Sequence, residues 1–252
     1  LDDIADINTT NVHIKNILET QIVNQNDSFG KVYEITSKLD QYEPEEVIFY
    51  ATEVIEKLIN SKDVAIYSVE NDTYARLFSA SSKKARSLGN SIRYQDMDKM
   101  YEDIRQNRVY INKDMGEKYP LMSNAIFSGE KLQLIIMVWG ITWEHMNLGQ
   151  ANMLKIAGYL IQNAVLHANR YMLALEDERY IGETRILDSK AFTALIHAYN
   201  EAKKKNLTEC CFIHVSASKE ELPSISEKLG NMLRHSDYLG QLSDQKLYVL
   251  LS

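Results

Sequence analysis

The chain has 252 residues, of which 45% are hydrophobic and 25% charged, a balance typical of soluble globular domains with buried cores. Its net charge of −7 argues against broad, unspecific binding to nucleic acid or anionic lipid, but leaves room for a small basic pocket that holds a phosphate ligand. No apolar run approaches the roughly 18 residues that a membrane span needs, so we expect a cytoplasmic protein of one or two domains.

Residues 3 to 24 predict a polar helix whose apolar residues recur at near-heptad spacing, namely Ile4, Ile7, Ile14, Leu18 and Ile22. This spacing fits a stalk that forms a homodimer, and it fits equally well a helix that packs on its own domain. Two further helices are predicted over residues 28–40 and 44–60. The second follows Glu43-Pro44-Glu45-Glu46, and proline and acids are favoured at a helix N-terminus.

The pattern then changes to short alternating segments that predict strands. They are residues 63–69, 74–79, 108–112, 124–128 and 131–139. A helix is predicted over 95–106, and Gly129-Glu130 has the form of a two-residue hairpin turn. A long amphipathic helix follows over about 147–177. Helices thus flank a central, mainly antiparallel sheet of five predicted strands, which is an α+β arrangement.

This order of elements resembles a GAF domain, a small-molecule or dimerisation module of signalling proteins, over residues 28–170. The resemblance is one of architecture and includes no sharp motif. Residues 1–27 would then form the stalk and residues 171–183 the end of a linker helix. Because Glu176-Asp-Glu-Arg179 is highly charged, we expect this connection to be solvated.

A second domain is predicted over residues 184–252. It contains a helix up to about 205, a buried strand over 209–215, a helix over 223–235 and a hairpin over 238–252. The two cysteines, Cys210 and Cys211, are adjacent on the predicted strand. Neighbouring strand residues point to opposite faces, so we expect two reduced core residues and no disulfide.

Helix, strand, helix and hairpin in this order resemble the front of a GGDEF domain, the fold of diguanylate cyclases. Those enzymes need Gly-Gly for close approach of the triphosphate and acids to hold divalent metal. The corresponding turn here is Ser243-Asp-Gln-Lys-Leu247, and His214 stands where the family has a metal-binding carboxylate. The resemblance therefore implies a degenerate GGDEF domain with no catalytic residue, no metal site and no cofactor. Asp244 alone is ordinary for a solvated turn.

Arg234-His-Ser-Asp237 precedes this turn by five residues, which is the spacing of the inhibitory Arg-x-x-Asp motif at which cyclases of this family bind cyclic di-GMP. An arginine fork can donate to guanine O6 and N7 or to a phosphate, and a carboxylate can accept from the N1–H and N2–H edge. Tyr238 and Gln241 are candidates for a stacking and a polar contact. The plain alternative is a surface ion pair of little energetic value.

The combination of a GAF-like domain with a degenerate GGDEF domain resembles the PelD family of cyclic di-GMP receptors. It implies a bacterial signalling protein that binds this ligand at Arg234, Asp237, Tyr238 and Gln241 and regulates exopolysaccharide synthesis or export in biofilms. Its partners would be membrane-associated polysaccharide proteins, and the chain would be the cytoplasmic part of an inner-membrane-anchored protein. Two alternatives stay open, a scaffold that binds no nucleotide and, less favoured, an active cyclase.

Overall fold

The computed structural model describes residues 30, 37–39, 42–69, 73–114, 116, 119–142, 146–234 and 236–252. The predicted N-terminal stalk over residues 1–27 lies outside these ranges. Within them the chain forms two sheets, and we call residues 42–174 the first unit and residues 180–252 the second unit. No described helix is both long and apolar enough to cross a membrane.

The first unit is a six-stranded antiparallel sheet with helices on its two faces. The strand order is β3-β2-β1-β6-β5-β4. In chain order the elements are α1 (Val47–Ile59), β1 (Asp63–Val69), β2 (Tyr74–Ala80), β3 (Ser91–Arg93), a 3₁₀ turn (Tyr94–Asp96), α2 (Asp98–Arg105), β4 (Tyr110–Ile111), β5 (Met122–Ser128), β6 (Lys131–Trp139) and α3 (Leu148–Ala174). The predicted α+β fold, with a central antiparallel sheet flanked by helices, is confirmed.

Alternation along β6 explains why both faces of this sheet are covered. Leu134, Ile136 and Val138 point to the side where α1 and α3 pack. Ile135 and Met137 point to the opposite side, which α2 and the loops around it cover. A strand in the middle of a sheet with two buried faces is apolar at successive positions, as this segment is.

The second unit is a three-stranded antiparallel sheet in the order β7-β9-β8, with one helix on each face. Its elements are α5 (Ser189–Lys204), β7 (Cys211–Val215), a 3₁₀ turn (Lys219–Glu221), α6 (Leu222–Gly230), β8 (Tyr238–Gln241) and β9 (Leu247–Leu251), and a short α4 (Glu176–Arg179) precedes it. On β9, Leu250 packs towards α5, whereas Leu247 and Val249 pack towards α6. The predicted hairpin is confirmed.

Several sequence-based expectations differ from the structure. The sheet has a sixth strand, β3, and α6 ends at Gly230 rather than near residue 235. Strand β7 was predicted to be buried, yet Cys211 to His214 are all exposed. The reason is that the helices on the two faces pack against β8 and β9 and leave most of β7, at the edge of the sheet, uncovered. Cys210 and Cys211 are free thiols, as predicted, but Cys211 is exposed rather than in a core.

The two units share a core and a set of polar contacts. The ring of Phe49 on α1 stacks on Phe78, with centroids 4.6 Å apart, and meets Tyr199 of α5 edge-on at 4.9 Å. Arg179 Nη1 lies 2.6 Å from Glu45 Oε1, and both side chains are largely buried. The expectation of a solvated connection is therefore wrong at Arg179, because its charge is paired with Glu45 and largely buried.

Candidate functional site

The predicted Arg-x-x-Asp motif forms a tight turn between α6 and β8. The backbone N–H of Asp237 donates to the carbonyl of Arg234 at 3.1 Å, and the N–H of Arg234 donates to Asp237 Oδ2, also at 3.1 Å. The backbone N–H of Ser252 donates to the other carboxylate oxygen, Oδ1, at 3.2 Å. Asp237 therefore organises the turn and ties the end of β9 to it, a structural role that sequence reasoning did not assign.

Arg234 has an exposed side chain at this turn. Within the described residues its guanidinium has no hydrogen-bond or ion-pair partner, so the motif is not the Arg–Asp surface ion pair that was the plain alternative. All five N–H donors of the guanidinium are available there, in a planar fork that matches a phosphate or a guanine edge.

Arg234 and Asp237 lie on the wall of an open groove with a volume of about 430 Å³. Ligand sites in proteins commonly fall between about 300 and 1,000 Å³, so the groove is large enough to hold part of a nucleotide. We call it the junction groove, and its lining residues are Tyr180, Thr184, Arg185, Leu187, Gly230, Leu233, Arg234, Asp237, Tyr238 and Leu239.

Part of the lining of the junction groove comes from the segment that precedes α5. Tyr180 and Leu187 form an antiparallel bridge, and Leu187 pairs in parallel with Gly240 of β8. The N–H of Leu187 donates to the carbonyl of Leu239 at 2.8 Å, and the N–H of Gln241 donates to the carbonyl of Leu187 at 3.0 Å. This pairing holds the backbone two residues after Arg185, which lines the groove together with Tyr238.

Tyr238 lines the junction groove, as its prediction as a ligand contact requires. Its ring also lies 6.4 Å from that of Tyr199, in an edge-on arrangement. Burial raises the pKa of the Tyr238 phenol to about 12, so the hydroxyl is neutral and can donate a hydrogen bond at physiological pH. Tyr238 also lines a second, smaller cavity of about 120 Å³ that extends to Glu45 and Arg179, so one side chain touches both the groove and the contact between the units.

Gln241 is not among the residues that line the junction groove. Its side-chain amide donates to the carbonyl of Gln245 at 3.2 Å, across the β8–β9 hairpin. The structure thus brings together Arg234, Asp237 and Tyr238 but leaves Gln241 at the turn, and a contact between Gln241 and a ligand bound in the groove is not supported.

The turn that replaces the cyclase motif is held by its own side chains. Asp244 Oδ1 accepts a hydrogen bond from the N–H of Lys246 at 3.0 Å, which lowers the pKa of the carboxyl. Gln245 has φ of 62°, a left-handed conformation that glycine adopts more readily. His214 is exposed on β7 with its ring 5.3 Å from that of Tyr248. Among the described residues, no three His, Cys, Asp or Glu side chains are grouped so that they could hold a metal ion.

No protein-family model matches the chain, and no curated protein matches it. Solved structures do show similarity. A GAF domain from an Acinetobacter phosphoenolpyruvate-protein phosphotransferase is 10% identical, with a TM-score of 0.45, and the match covers 57% of this chain and 96% of that one. A GAF domain from the corresponding protein of Coxiella burnetii is 8% identical, with a TM-score of 0.47 and coverages of 58% and 96%.

PelD from Pseudomonas aeruginosa PA14 in complex with c-di-GMP is 8% identical to this chain. Its TM-score is 0.43, and the match covers 89% of this chain and 75% of that one. Fold does not fix function, so a ligand must be inferred from the groove itself. The first unit, with its antiparallel sheet and flanking helices, has the GAF-like architecture that its sequence predicts. The division into domains at residues 170 and 184, and a degenerate GGDEF domain after it, stay predictions.

Proposed function

We propose that this protein is a receptor for cyclic di-GMP, which it binds in the junction groove and does not synthesise. The observation that carries this proposal is the exposed side chain of Arg234 on the wall of a groove of about 430 Å³ that Asp237 also lines. The two residue types match a guanine base, and the Arg-x-x-Asp spacing matches the motif that binds this ligand in GGDEF domains.

Arg234 supplies the main contact in this proposal. Its fork donates to guanine O6 and N7 or to a phosphodiester oxygen. Asp237 contributes despite its structural role, because each carboxylate oxygen has two lone pairs and accepts only one backbone N–H in the described structure. The remaining lone pairs can accept from guanine N1–H and N2–H. Tyr238 provides an aromatic wall and a hydroxyl donor.

Catalysis is not part of the proposed function. The turn Ser243–Leu247 carries no glycine, and its single carboxylate, Asp244, is engaged with the backbone and side chain of Lys246. A triphosphate would find no close backbone approach there and no pair of acids for its metal ion. Incubation with GTP and Mg²⁺ should therefore yield no cyclic di-GMP, and product formation would refute this part of the proposal.

The binding test is calorimetric titration of the chain with cyclic di-GMP. We expect micromolar or tighter binding by the wild-type protein and its loss in Arg234→Ala, since this variant removes an exposed side chain without disturbing the turn. Asp237→Ala should also abolish binding, but it removes two backbone contacts, so its folding must be checked by circular dichroism. Arg108→Ala, which changes an exposed arginine of the first unit, is the matched control.

Two results would count against the receptor proposal. If the wild-type protein does not bind cyclic di-GMP, the second unit is a scaffold for dimerisation or partner docking. If Arg234→Ala binds as tightly as the wild-type protein, the site lies elsewhere. With binding established, the proposed output is regulation of bacterial exopolysaccharide synthesis or export through membrane-associated partners.

A further inference from the structure

The junction groove contains a second arginine whose role is not explained by the Arg-x-x-Asp motif. Arg185 lies on the segment that pairs with β8, and it lines the groove together with Arg234. Its side chain is exposed, and its Nη1 makes one long hydrogen bond, 3.4 Å, to the carbonyl of Gly230. Most of its donors are therefore free for a ligand within the described structure.

Hydrogen bonds on both sides of Arg185 hold its backbone and so fix the position of its Cα. Its N–H donates to the hydroxyl of Ser226 at 2.8 Å, and this serine is buried on α6. The hydroxyl of Thr184 accepts from the N–H of Ile186 at 3.2 Å. The stem of Arg185 then crosses Gly230, where an added Cβ would lie 3.2 Å from its Cδ. Glycine at that position lets the arginine pass close to the end of α6.

A groove lined by two arginines favours a ligand that carries two negative charges. One arginine–guanine contact contributes about 1–3 kcal/mol of discrimination, whereas micromolar binding requires about 8 kcal/mol in total. Arg234 alone therefore does not account for a tight complex. The chain as a whole has a net charge of −7, so two guanidinium groups at one groove, with no ion-pair partner among the described residues, are a local exception that favours an anion.

We propose that Arg185 is the second cation of the binding site and binds one phosphodiester of the ligand that Arg234 contacts. The ligand class is a cyclic dinucleotide, whose two phosphodiesters carry one negative charge each. This inference rests on the proposed function, because it assigns a further contact to the same groove. It adds the prediction that binding depends on two arginines separated by 49 positions in the sequence, and not on the Arg-x-x-Asp motif alone.

The test is calorimetric titration of the whole chain with cyclic di-GMP at low and at high salt. Arg185→Gln should weaken binding about 10- to 100-fold, as expected for the loss of a charge-assisted contact. It should also flatten the salt dependence, because one ion contact is lost. Arg185→Lys should bind with an intermediate affinity, since it keeps the charge but not the planar fork. Arg108→Gln is the control for an exposed arginine outside the groove.

The outcomes separate this inference from the proposed function. If Arg185→Gln binds as tightly as the wild-type protein, with the same salt dependence, whereas Arg234→Ala does not bind, Arg185 has no such role and the receptor function stands. If the wild-type protein itself does not bind, the receptor function fails and the role of Arg185 fails with it. If Arg185→Gln does not fold, the uncharged variant Arg185→Met replaces it, and a Kd and a salt dependence equal to those of the wild-type protein would overturn the inference.

Discussion

The ion pair between Arg179 and Glu45 makes a sharp prediction about how the two units hold together. The pair joins the end of α4 to the start of α1, with 2.6 Å between Nη1 and Oε1. The Arg179 side chain is 16% exposed and that of Glu45 is 8% exposed. Replacing Arg179 by Met leaves the Glu45 carboxylate largely buried without its partner. Loss of one partner from a buried pair costs about 3–5 kcal/mol, and we take the lower end because neither group is fully enclosed.

The measurement is urea unfolding followed by far-ultraviolet circular dichroism. With an m-value near 3 kcal/mol/M, a loss of about 3 kcal/mol lowers the urea midpoint by about 1 M in Arg179→Met. The double variant Arg179→Met with Glu45→Gln should regain part of the loss, because it no longer buries an unpaired charge. The matched control is Lys99→Met, which breaks a pair of similar length, 2.7 Å, whose side chains are 76% and 72% exposed.

Exposed pairs contribute about 0–1 kcal/mol, so the control should shift the midpoint by about 0.3 M or less. The reasoning is refuted if Arg179→Met and Lys99→Met have equal midpoints. It is also refuted if the Glu45→Gln exchange in the Arg179→Met background restores nothing, because the loss would then not arise from a stranded carboxylate.

Two further changes test packing and charge. Gly240→Ala should cost about 1–3 kcal/mol in urea unfolding, because the new Cβ would lie 2.2 Å from Cγ of the buried Phe192. Gly116→Ala, with no atom of the described residues within 4 Å of the new Cβ, should be near neutral, and equal urea midpoints for the two variants would contradict this. Burial raises the pKa of the Glu56 carboxyl, so the folded state binds the proton more tightly than the unfolded state and the free energy of unfolding falls as pH rises through that pKa. Glu56→Gln should remove this fall above about pH 4.5, and parallel stability curves for the two proteins would exclude it.

Much of the first unit could be predicted because its strands show their alternating pattern within a few consecutive residues. The alternation over residues 63–69 and 131–139 gave strands whose bounds agree with β1 and β6. Strand β3 was missed because it has three residues, of which only Ile92 is apolar, and it exists through pairing with β2. The apolar run in β7 predicted burial, but burial also depends on neighbours that a strand's own sequence does not encode.

Part of the candidate site could likewise be predicted from the sequence, and part could not. Arg234 and Asp237 are three residues apart, so their proximity follows from the turn, and a sequence can show it. Arg185 reaches the groove through the parallel pairing of Leu187 with Gly240, for which no short motif exists. The engagement of Asp237 by the N–H of Ser252, 15 residues away, could not be predicted either, because it depends on the register of the hairpin.

The position of Phe49 limits how this protein can be divided or recombined. Its ring comes from α1 but fills a place among the aromatic side chains of the second unit. A fragment that starts at residue 184 would lose that ring, and an emptied phenylalanine site costs about 3–5 kcal/mol. The second unit is therefore not a transferable module. A chimaera that joins it to another sensor domain must include α1 as well, or must supply another aromatic side chain to fill the site that Phe49 occupies.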